Sequence, residues 1–206
     1  MDDSEQQQLL RNIIPPVPSA TPQIITTIVE GRDAAYALRT LCAIIRHIAS
    51  APTTEPVNIL IISDQGSQIA ARLLNDIASV VIHAAGGGGD ISDESITHRN
   101  REEIRIQIAG PAQNALTIRC VPWSEEHFRG SGFDWCILWG SPSSTLQRAL
   151  YTVVLPVLIR RDSARLIWLA PGVATSPGIA TSVFGNEHFT TAATHEEGIT
   201  SLAFRV

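Results

Sequence analysis

The side chains best placed to do chemistry follow predicted strands. Asp64 comes directly after the apolar run 57–62, and Arg32 lies in the turn after the β-branched run 23–29. Ligands of open α/β sheets bind beyond the carboxyl ends of the strands, so Asp64, Arg32 and Arg129 could serve a small-molecule hydrolase or transferase. The competing explanation is structural, with Asp64 as a turn or cap residue and Arg32 as a surface residue in a turn.

Other polar clusters point less directly to chemistry. Glu125, Glu126 and His127 are adjacent on a predicted loop, where neighbouring side chains diverge, and a solvated loop explains them. His188 and His195 lie among acidic residues, but their spacing fits no metal-ligand pattern. We therefore predict no catalytic residue and no metal site from these clusters.

The basic residues of the chain are all of one type. There are 15 arginines and no lysine, and the net charge is −5. A phosphate-binding loop or a Schiff base therefore has no lysine to use. An acidic chain has no general attraction to nucleic acid, but a local arginine groove could bind it. This alternative groups four residues, namely Arg99, Arg101, Arg105 and Arg129.

Cysteine usage and hydropathy indicate the compartment. Cys42, Cys120 and Cys136 lie far apart in apolar surroundings, which predicts reduced core residues of an intracellular protein. The N-terminus is acidic and rich in glutamine, unlike a signal peptide. No apolar run reaches the roughly 18 residues of a membrane span. We expect a soluble intracellular protein without membrane contact.

Hydrophobic patterning predicts an α/β domain. Buried strands are predicted at 23–29, 57–62, 135–139 and 164–169, and the second of these shows no alternation, as expected of a sheet covered on both faces. Predicted helices cover residues 34–50, 67–81, 145–159 and 176–184. Shorter strand signals occur at 95–97, 104–108, 116–121, 189–193 and 202–206, and 104–108 alternates like a half-exposed antiparallel strand.

The order of these elements favours a mostly parallel central sheet flanked by helices in three layers. Residues 30–33 are predicted to turn from the first strand into the first helix. Residues 1–22, with a proline-rich segment, are predicted to be an N-terminal arm, and residues 23–206 a single α/β domain.

Residues 116–172 carry a longer pattern of short motifs. An apolar strand is followed in order by Arg129-Gly130, Phe133-Asp134, an apolar strand, Leu155-Pro156, Arg160-Arg161, an apolar strand and Ala170-Pro171-Gly172. In this order and spacing the chain resembles, over roughly residues 24–185, the ATPase domain of the large terminase subunit, the DNA-packaging motor of tailed phages and herpesviruses. The resemblance implies a P-loop NTPase fold.

The chain departs from that family's pattern at three functional positions. The phosphate-binding loop should occupy 30–36 and end in Gly-Lys-Thr or Gly-Lys-Ser, but Ala34-Ala35-Tyr36 stands there. Trp139-Gly140 replaces the Asp-Glu pair that holds the metal and acts in catalysis. The coupling motif, usually Ser or Thr before Pro or Gly, is Ala170-Pro171-Gly172. The site is thus expected to have lost its chemistry, with Trp139 filling the space of the metal.

The resemblance and its departures together imply a pseudo-ATPase that is a structural or regulatory subunit of a packaging or capsid assembly. No cofactor is expected to be required, although Arg32 and Asp64 would be the contacts for residual ATP. Protein partners are expected, with Trp123, Phe128 and Arg129 as contacts, and DNA is a further candidate partner.

Overall fold

A computed structural model gives the fold of the chain. It describes residues 7, 10, 23–31, 34–50, 56–63, 66–84, 96–107, 115–123, 132–140, 148, 152, 154, 156, 165–171, 192–196 and 199–205. The helices are α1 (Ala34–Ser50) and α2 (Gly66–Ala84). The strands are β1 (Gln23–Gly31), β2 (Val57–Ser63), β3 (Ile96–Arg99), β4 (Glu103–Gln107), β5 (Ala115–Pro122), β6 (Trp135–Trp139), β7 (Arg165–Pro171), β8 (Ala192–Glu196) and β9 (Ile199–Arg205).

The strands of the described residues form one mixed sheet in the order β3-β4-β5-β2-β6-β7-β1-β9-β8. The five central strands, from β5 to β1, are mutually parallel. Antiparallel strands extend the sheet on both sides, with β4 and β3 beyond β5, and β9 and β8 beyond β1. The predicted mostly parallel sheet is therefore confirmed, and β6 lies at its centre.

Both faces of the central strands β2 and β6 are buried over most of their length. On one face Ile59, Ile61 and Ile137 join the apolar side of α1 and α2 in the main core cluster. On the other face Leu60 and Leu138 are equally inaccessible. Strands buried on both sides need no alternation of polar and apolar residues, which explains the unbroken apolar runs in the sequence.

The two helices cover one face because each has a single apolar stripe. In α1 the stripe recurs at the 3.6-residue period and is buried throughout, in the positions Ala37, Leu41, Ile44, Ile45 and Ile48. Helix α1 packs over β1 and β7, and α2 packs over β5 and β2. Leu10, in the predicted N-terminal arm, packs against the same core cluster.

Most predicted elements coincide with the structure, and the differences have a physical cause. The bounds of α1 and β6 match their predictions, whereas β1 and β7 each continue two residues further. Residues 30 and 31 were expected in a turn, but parallel pairing of Glu30 with Ala170 and Gly31 with Pro171 keeps them in the sheet. Strand β8 begins three residues later than predicted.

Two other predicted elements are described only in part or not at all. Within the predicted helix 145–159, the described residues Arg148, Thr152, Val154 and Pro156 are helical. The predicted helix 176–184 lies outside the described residues. In the part of the chain that the structure describes, neither helix is both long and apolar enough to cross a bilayer.

Candidate functional site

The carboxyl ends of the five parallel strands define one edge of the sheet. Strand β2 ends at Ser63, level with Trp139 of β6, and Trp139 is level with Leu169 of β7. Strand β1 ends at Gly31 beside Pro171. Because ligands of open α/β sheets bind beyond this edge, we refer to it as the carboxyl edge and treat it as the candidate site.

Trp139 is the last residue of β6 at the carboxyl edge. Its side chain is only 5% exposed and belongs to the core cluster that also contains Ile61 and Leu169. The indole thus packs with the sheet and helices of the core. An apolar ring in this position supplies no ligand for a metal ion, since Mg²⁺ takes oxygen ligands.

Gly140, the next residue, is held by both of its backbone groups. Its N–H donates to Leu169 O at 3.0 Å, and its carbonyl oxygen accepts from Trp168 Nε1 at 2.9 Å. Its φ of 141° lies in a region that glycine enters readily and residues with a side chain avoid. A carboxylate-bearing residue is therefore disfavoured here by the backbone conformation as well as by the surrounding apolar core.

Arg32 and Asp64 directly follow the described ends of β1 and β2, and both residues lie outside the described residues. The two strands are separated by β6 and β7, so their ends are three strand spacings apart, about 14 Å. The described ends of β1 and β2 therefore lie at the same edge of the sheet but on strands that are not adjacent. A ligand that touched both strand ends would have to extend past Gly140.

Two further polar residues lie at this edge in the described strands. Glu30 is one residue from the end of β1, and Ser63, which is completely buried, ends β2. Glu30 was not predicted as a site residue, because the sequence pattern assigned it to a turn. Among the last two residues of each parallel strand that the structure describes, Glu30 is the one that bears a carboxylate.

The structure describes one of the three predicted partner contacts. Trp123 follows β5 at the carboxyl edge, where its N–H donates to Ser63 O at 3.1 Å. Its side chain is half-buried, and its role as a partner contact stays a prediction. Phe128 and Arg129 lie outside the described residues.

The opposite, amino end of β6 carries the carboxylate of the sequence motif. Asp134 Oδ2 accepts from the backbone N–H of Asn58 at 2.9 Å, and Asp134 N donates to Asn58 O at 2.9 Å. Asp134 O also accepts from Arg165 N at 3.1 Å. Asp134 therefore joins the starts of β2, β6 and β7. This is a structural role at the edge of the sheet away from the candidate site.

A cation–π contact lies beside this junction. The guanidinium carbon of Arg165 lies 5.7 Å from the ring centroid of Trp135, and Trp135 packs against the core cluster. Burial lowers the pKa of Arg165. Nothing in the residue spacing of the sequence indicated this pair, because the two residues are brought together by the pairing of β6 with β7.

The three cysteines are free thiols in the core, as predicted. Burial raises the pKa of Cys42 to about 11 and that of Cys120 to about 12. Burial also raises the pKa of Cys136. Since the thiolate is the nucleophile and the metal ligand, all three are chemically inert near neutral pH. Among the described residues no cluster of His, Cys, Asp and Glu could hold a metal ion.

Three of the four arginines predicted to form a groove lie on the exposed β3–β4 hairpin, and Arg129 lies outside the described residues. Arg99 pairs with Ile104, which faces the helix-covered core, whereas Arg105 points to the opposite side of the sheet. The described arginines therefore surround the hairpin on two sides. They do not form the two walls of a groove.

The fold can be compared with those of known proteins. No protein-family model and no curated protein matches the sequence. A solved mutant of the Thermus phage P74-26 large terminase ATPase domain matches with a TM-score of 0.50 at 13% identity, over 73% of this chain and 61% of that one. The fold is similar to that of a large terminase ATPase domain.

Two further structures show the same similarity. The unmutated Thermus phage P74-26 domain gives a TM-score of 0.48 at 14% identity, over 71% of this chain and 59% of that one. A large terminase from a thermophilic bacteriophage gives 0.48 at 13% identity, over 81% of this chain and 38% of that one. The chain thus spans about three fifths of the terminase ATPase domains and less of the longer terminase.

The carboxyl edge is where open α/β sheets bind ligands, and the residues at this edge decide which chemistry is possible there. In the described residues this edge has an indole, a glycine and a buried serine at its centre. Sequence reasoning found Trp139 and Gly140 through their motif position. It missed Trp168, whose role depends on an indole reaching across from the neighbouring strand.

Proposed function

We propose that the chain is a pseudo-ATPase built on a terminase-like fold, which acts as a structural or regulatory subunit of a viral DNA-packaging or capsid-associated assembly. The observation that carries the proposal is the carboxyl end of β6. Trp139 is packed into the core there, and both backbone groups of Gly140 are engaged. A metal-dependent phosphoryl transfer needs carboxylates at such a strand end.

The charges of the chain support the same proposal. Without lysine the chain has no residue of the type that reaches the β- and γ-phosphates from a phosphate-binding loop. Arg32 and Asp64 are the contacts that residual ATP would use, each at its own strand end. Because those ends are about 14 Å apart, they position no reacting phosphate together.

ATP turnover tests the loss of chemistry. The purified chain is incubated with ATP, with and without Mg²⁺, and phosphate release is followed beside an active large terminase ATPase domain. We expect no release above the rate without protein. Mg²⁺-dependent turnover would contradict the proposal, provided that Asp64→Asn or Arg32→Gln removes it, since a contaminating ATPase would be unaffected by these substitutions.

The proposed role in an assembly predicts a protein partner. The partner tested is the large terminase from the same source as the chain, and complex formation is measured by size-exclusion chromatography with light scattering. Trp123, Phe128 and Arg129 are the proposed contacts. We expect Trp123→Ala and Arg129→Gln to weaken the complex, because aromatic and arginine side chains dominate binding energy at interfaces.

Arg39→Gln is the matched control for the partner experiment, since Arg39 is exposed on α1, away from the carboxyl ends of β2 and β5. It should leave the complex unchanged. The wild-type chain should also alter the ATPase rate of the large terminase if its role is regulatory. Separate elution of the two proteins, with no change in that rate, would overturn the assignment to this assembly.

A further inference from the structure

The β3–β4 hairpin is an exposed edge of the sheet with a defined local structure. Every residue from Thr97 to Glu102 is exposed. The side chain of Asn100 accepts hydrogen bonds from the backbone N–H groups of Glu102 and Glu103, at 2.7 and 2.8 Å. An asparagine that bonds backbone groups in this way fixes a tight turn. The hairpin is therefore exposed but held in one conformation.

The hairpin and the adjoining parts of α2 and β5 form a basic region on an acidic chain. The described residues of this region include five arginines and three carboxylates, whereas the whole chain has a net charge of −5. The residues of this basic region are Arg72, Asp76, Arg99, Arg101, Glu102, Glu103, Arg105 and Arg119. The described residues at this end of the molecule thus have a net charge of opposite sign to that of the chain as a whole.

The arginines of the basic region differ in how far their charge is already compensated. Arg105 Nε donates to Glu103 Oε1 at 2.7 Å, and Arg119 Nε lies 3.7 Å from Glu103 Oε2. Arg99, by contrast, donates to the neutral amide of Asn75 on α2 at 2.7 Å. The Asn75 contact positions the guanidinium of Arg99 without cancelling its charge. Among the described residues, Arg99 and Arg101 are therefore the arginines of the hairpin whose charge no ion pair compensates.

The outer edge of β3 places a second requirement on a partner, because its backbone groups need hydrogen-bond partners. Strand β3 pairs with β4 on one side, and in the described residues no strand lies beyond it. The outer edge of a strand offers both N–H donors and C=O acceptors. A polypeptide strand can satisfy both kinds of group, whereas a phosphodiester backbone offers acceptors alone. The hairpin also carries no Phe, Tyr or Trp between 97 and 102 on which bases could stack, and the ring of His98 is hydrogen-bonded to the side chain of Asn100 at 3.1 Å.

We propose that β3 binds an extended, acidic segment of a partner protein by strand addition, with Arg99 and Arg101 selecting its carboxylates. The register shift between Ile96 and His98 limits the regular ladder to a few residues. Binding is therefore weak and depends on charge complementarity for its selectivity. This surface lies on the edge strand, apart from the carboxyl edge, and it requires neither a nucleotide nor a packaging motor.

A labelled peptide of alternating Glu and Thr, with blocked ends, is the probe. Binding to the full chain is measured by fluorescence anisotropy at increasing salt. A Lys and Thr peptide is the charge-reversed control. We expect only the acidic peptide to bind, with an affinity that falls as salt rises, because exposed charges are screened. Equal binding of both peptides, or no binding of the acidic one, would overturn the proposal.

Substitutions on the surface locate the site. The double variant Arg99→Gln with Arg101→Gln is expected to weaken binding about three- to tenfold, the range of two exposed ion pairs. Arg105→Gln should have a smaller effect because Glu103 already engages its charge. Arg39→Gln with Arg46→Gln, both exposed on α1, is the matched control. A control pair that weakens binding as much as the hairpin pair would contradict the assignment.

Methylation of the peptide backbone separates strand addition from simple charge attraction. Two variants of the peptide are N-methylated on alternate residues, one at the even and one at the odd positions. Only one of them then lacks the N–H groups on the edge of the peptide that pairs with β3. We expect one variant to lose binding and the other to retain it. Equal affinity of both would overturn strand addition. A DNA duplex that binds through Arg99 and Arg101 when the acidic peptide does not would assign the surface to nucleic acid instead.

Discussion

The two ends of β6 use their side chains in opposite ways. At the amino end the carboxylate of Asp134 accepts the N–H of Asn58. At the carboxyl end Trp139 is part of the core, and the carbonyl of Gly140 accepts from an indole. In a parallel sheet only the carboxyl end faces the ligand crevice. A carboxylate near the start of the strand stabilises the sheet, and one at its end would be available for chemistry.

The largest expected loss of stability comes from removing the Trp139 side chain at the carboxyl end of β6. Trp139→Ala should lower the free energy of unfolding by about 3–5 kcal/mol, because it leaves a large cavity beside Ile61 and Leu169. Urea denaturation followed by circular dichroism measures the change. Trp123→Ala at the same edge is the control and should cost less, since Trp123 is only half-buried. Equal losses would mean that Trp139 is not a core residue.

Gly140→Ala tests the conformation that follows Trp139. A residue with a side chain is strained at a φ of 141°, so we expect a loss of about 1–3 kcal/mol in unfolding free energy. The same denaturation curve reports it. A substitution that changes stability by less than a few tenths of a kcal/mol would show that the backbone adopts another conformation there.

At the amino end, Asp134→Ala removes the acceptor for the backbone N–H of Asn58. The expected loss is about 1–2 kcal/mol, the cost of leaving a partly buried donor without its partner. Asp134→Asn keeps an acceptor oxygen in the same place and should recover most of the stability. ATP binding or turnover that depended on Asp134 would contradict the structural role of this end.

The smallest effect concerns Cys136, which lies inside β6 between the two ends. Burial raises its pKa above the ordinary value of 9.0, so the folded state keeps the thiol protonated. This contribution to stability is complete below pH 9 and is lost as pH rises above it, by up to about 1.4 kcal/mol per pH unit. Cys136→Ala should flatten the fall in unfolding free energy between pH 8 and 10, and identical slopes would contradict the linkage.

Local patterns were sufficient for most of the elements. The 3.6-residue period of α1 and the apolar run of β6 predicted their bounds, because each element satisfies its own backbone groups and presents an apolar surface to the core. The alternation of Ile104 and Ile106 predicted an antiparallel strand with one buried side. Strand order was not predicted, since it depends on contacts between segments far apart in the chain.

The sequence predicted the candidate site only through the functional groups that it lacks. The sequence alone established that lysine is absent and that Trp139 and Gly140 stand where carboxylates were expected. It assigned Glu30 to a turn, because the pairing of β1 with β7 that extends the strand is a long-range interaction. It treated the hairpin arginines as one groove, because it could not tell which side of the sheet each one faces.

The sequence by itself therefore determined that β6 ends without a carboxylate, and it determined the buried strands and the two described helices. These follow from residue type and from periods within a single segment. Only the tertiary structure decided that Asp134 joins β2 and β7 to the start of β6, that Trp168 bonds to Gly140, and that the ends of β1 and β2 lie three strand spacings apart. Each of these depends on which strands become neighbours, and that choice is made by packing over the whole sheet.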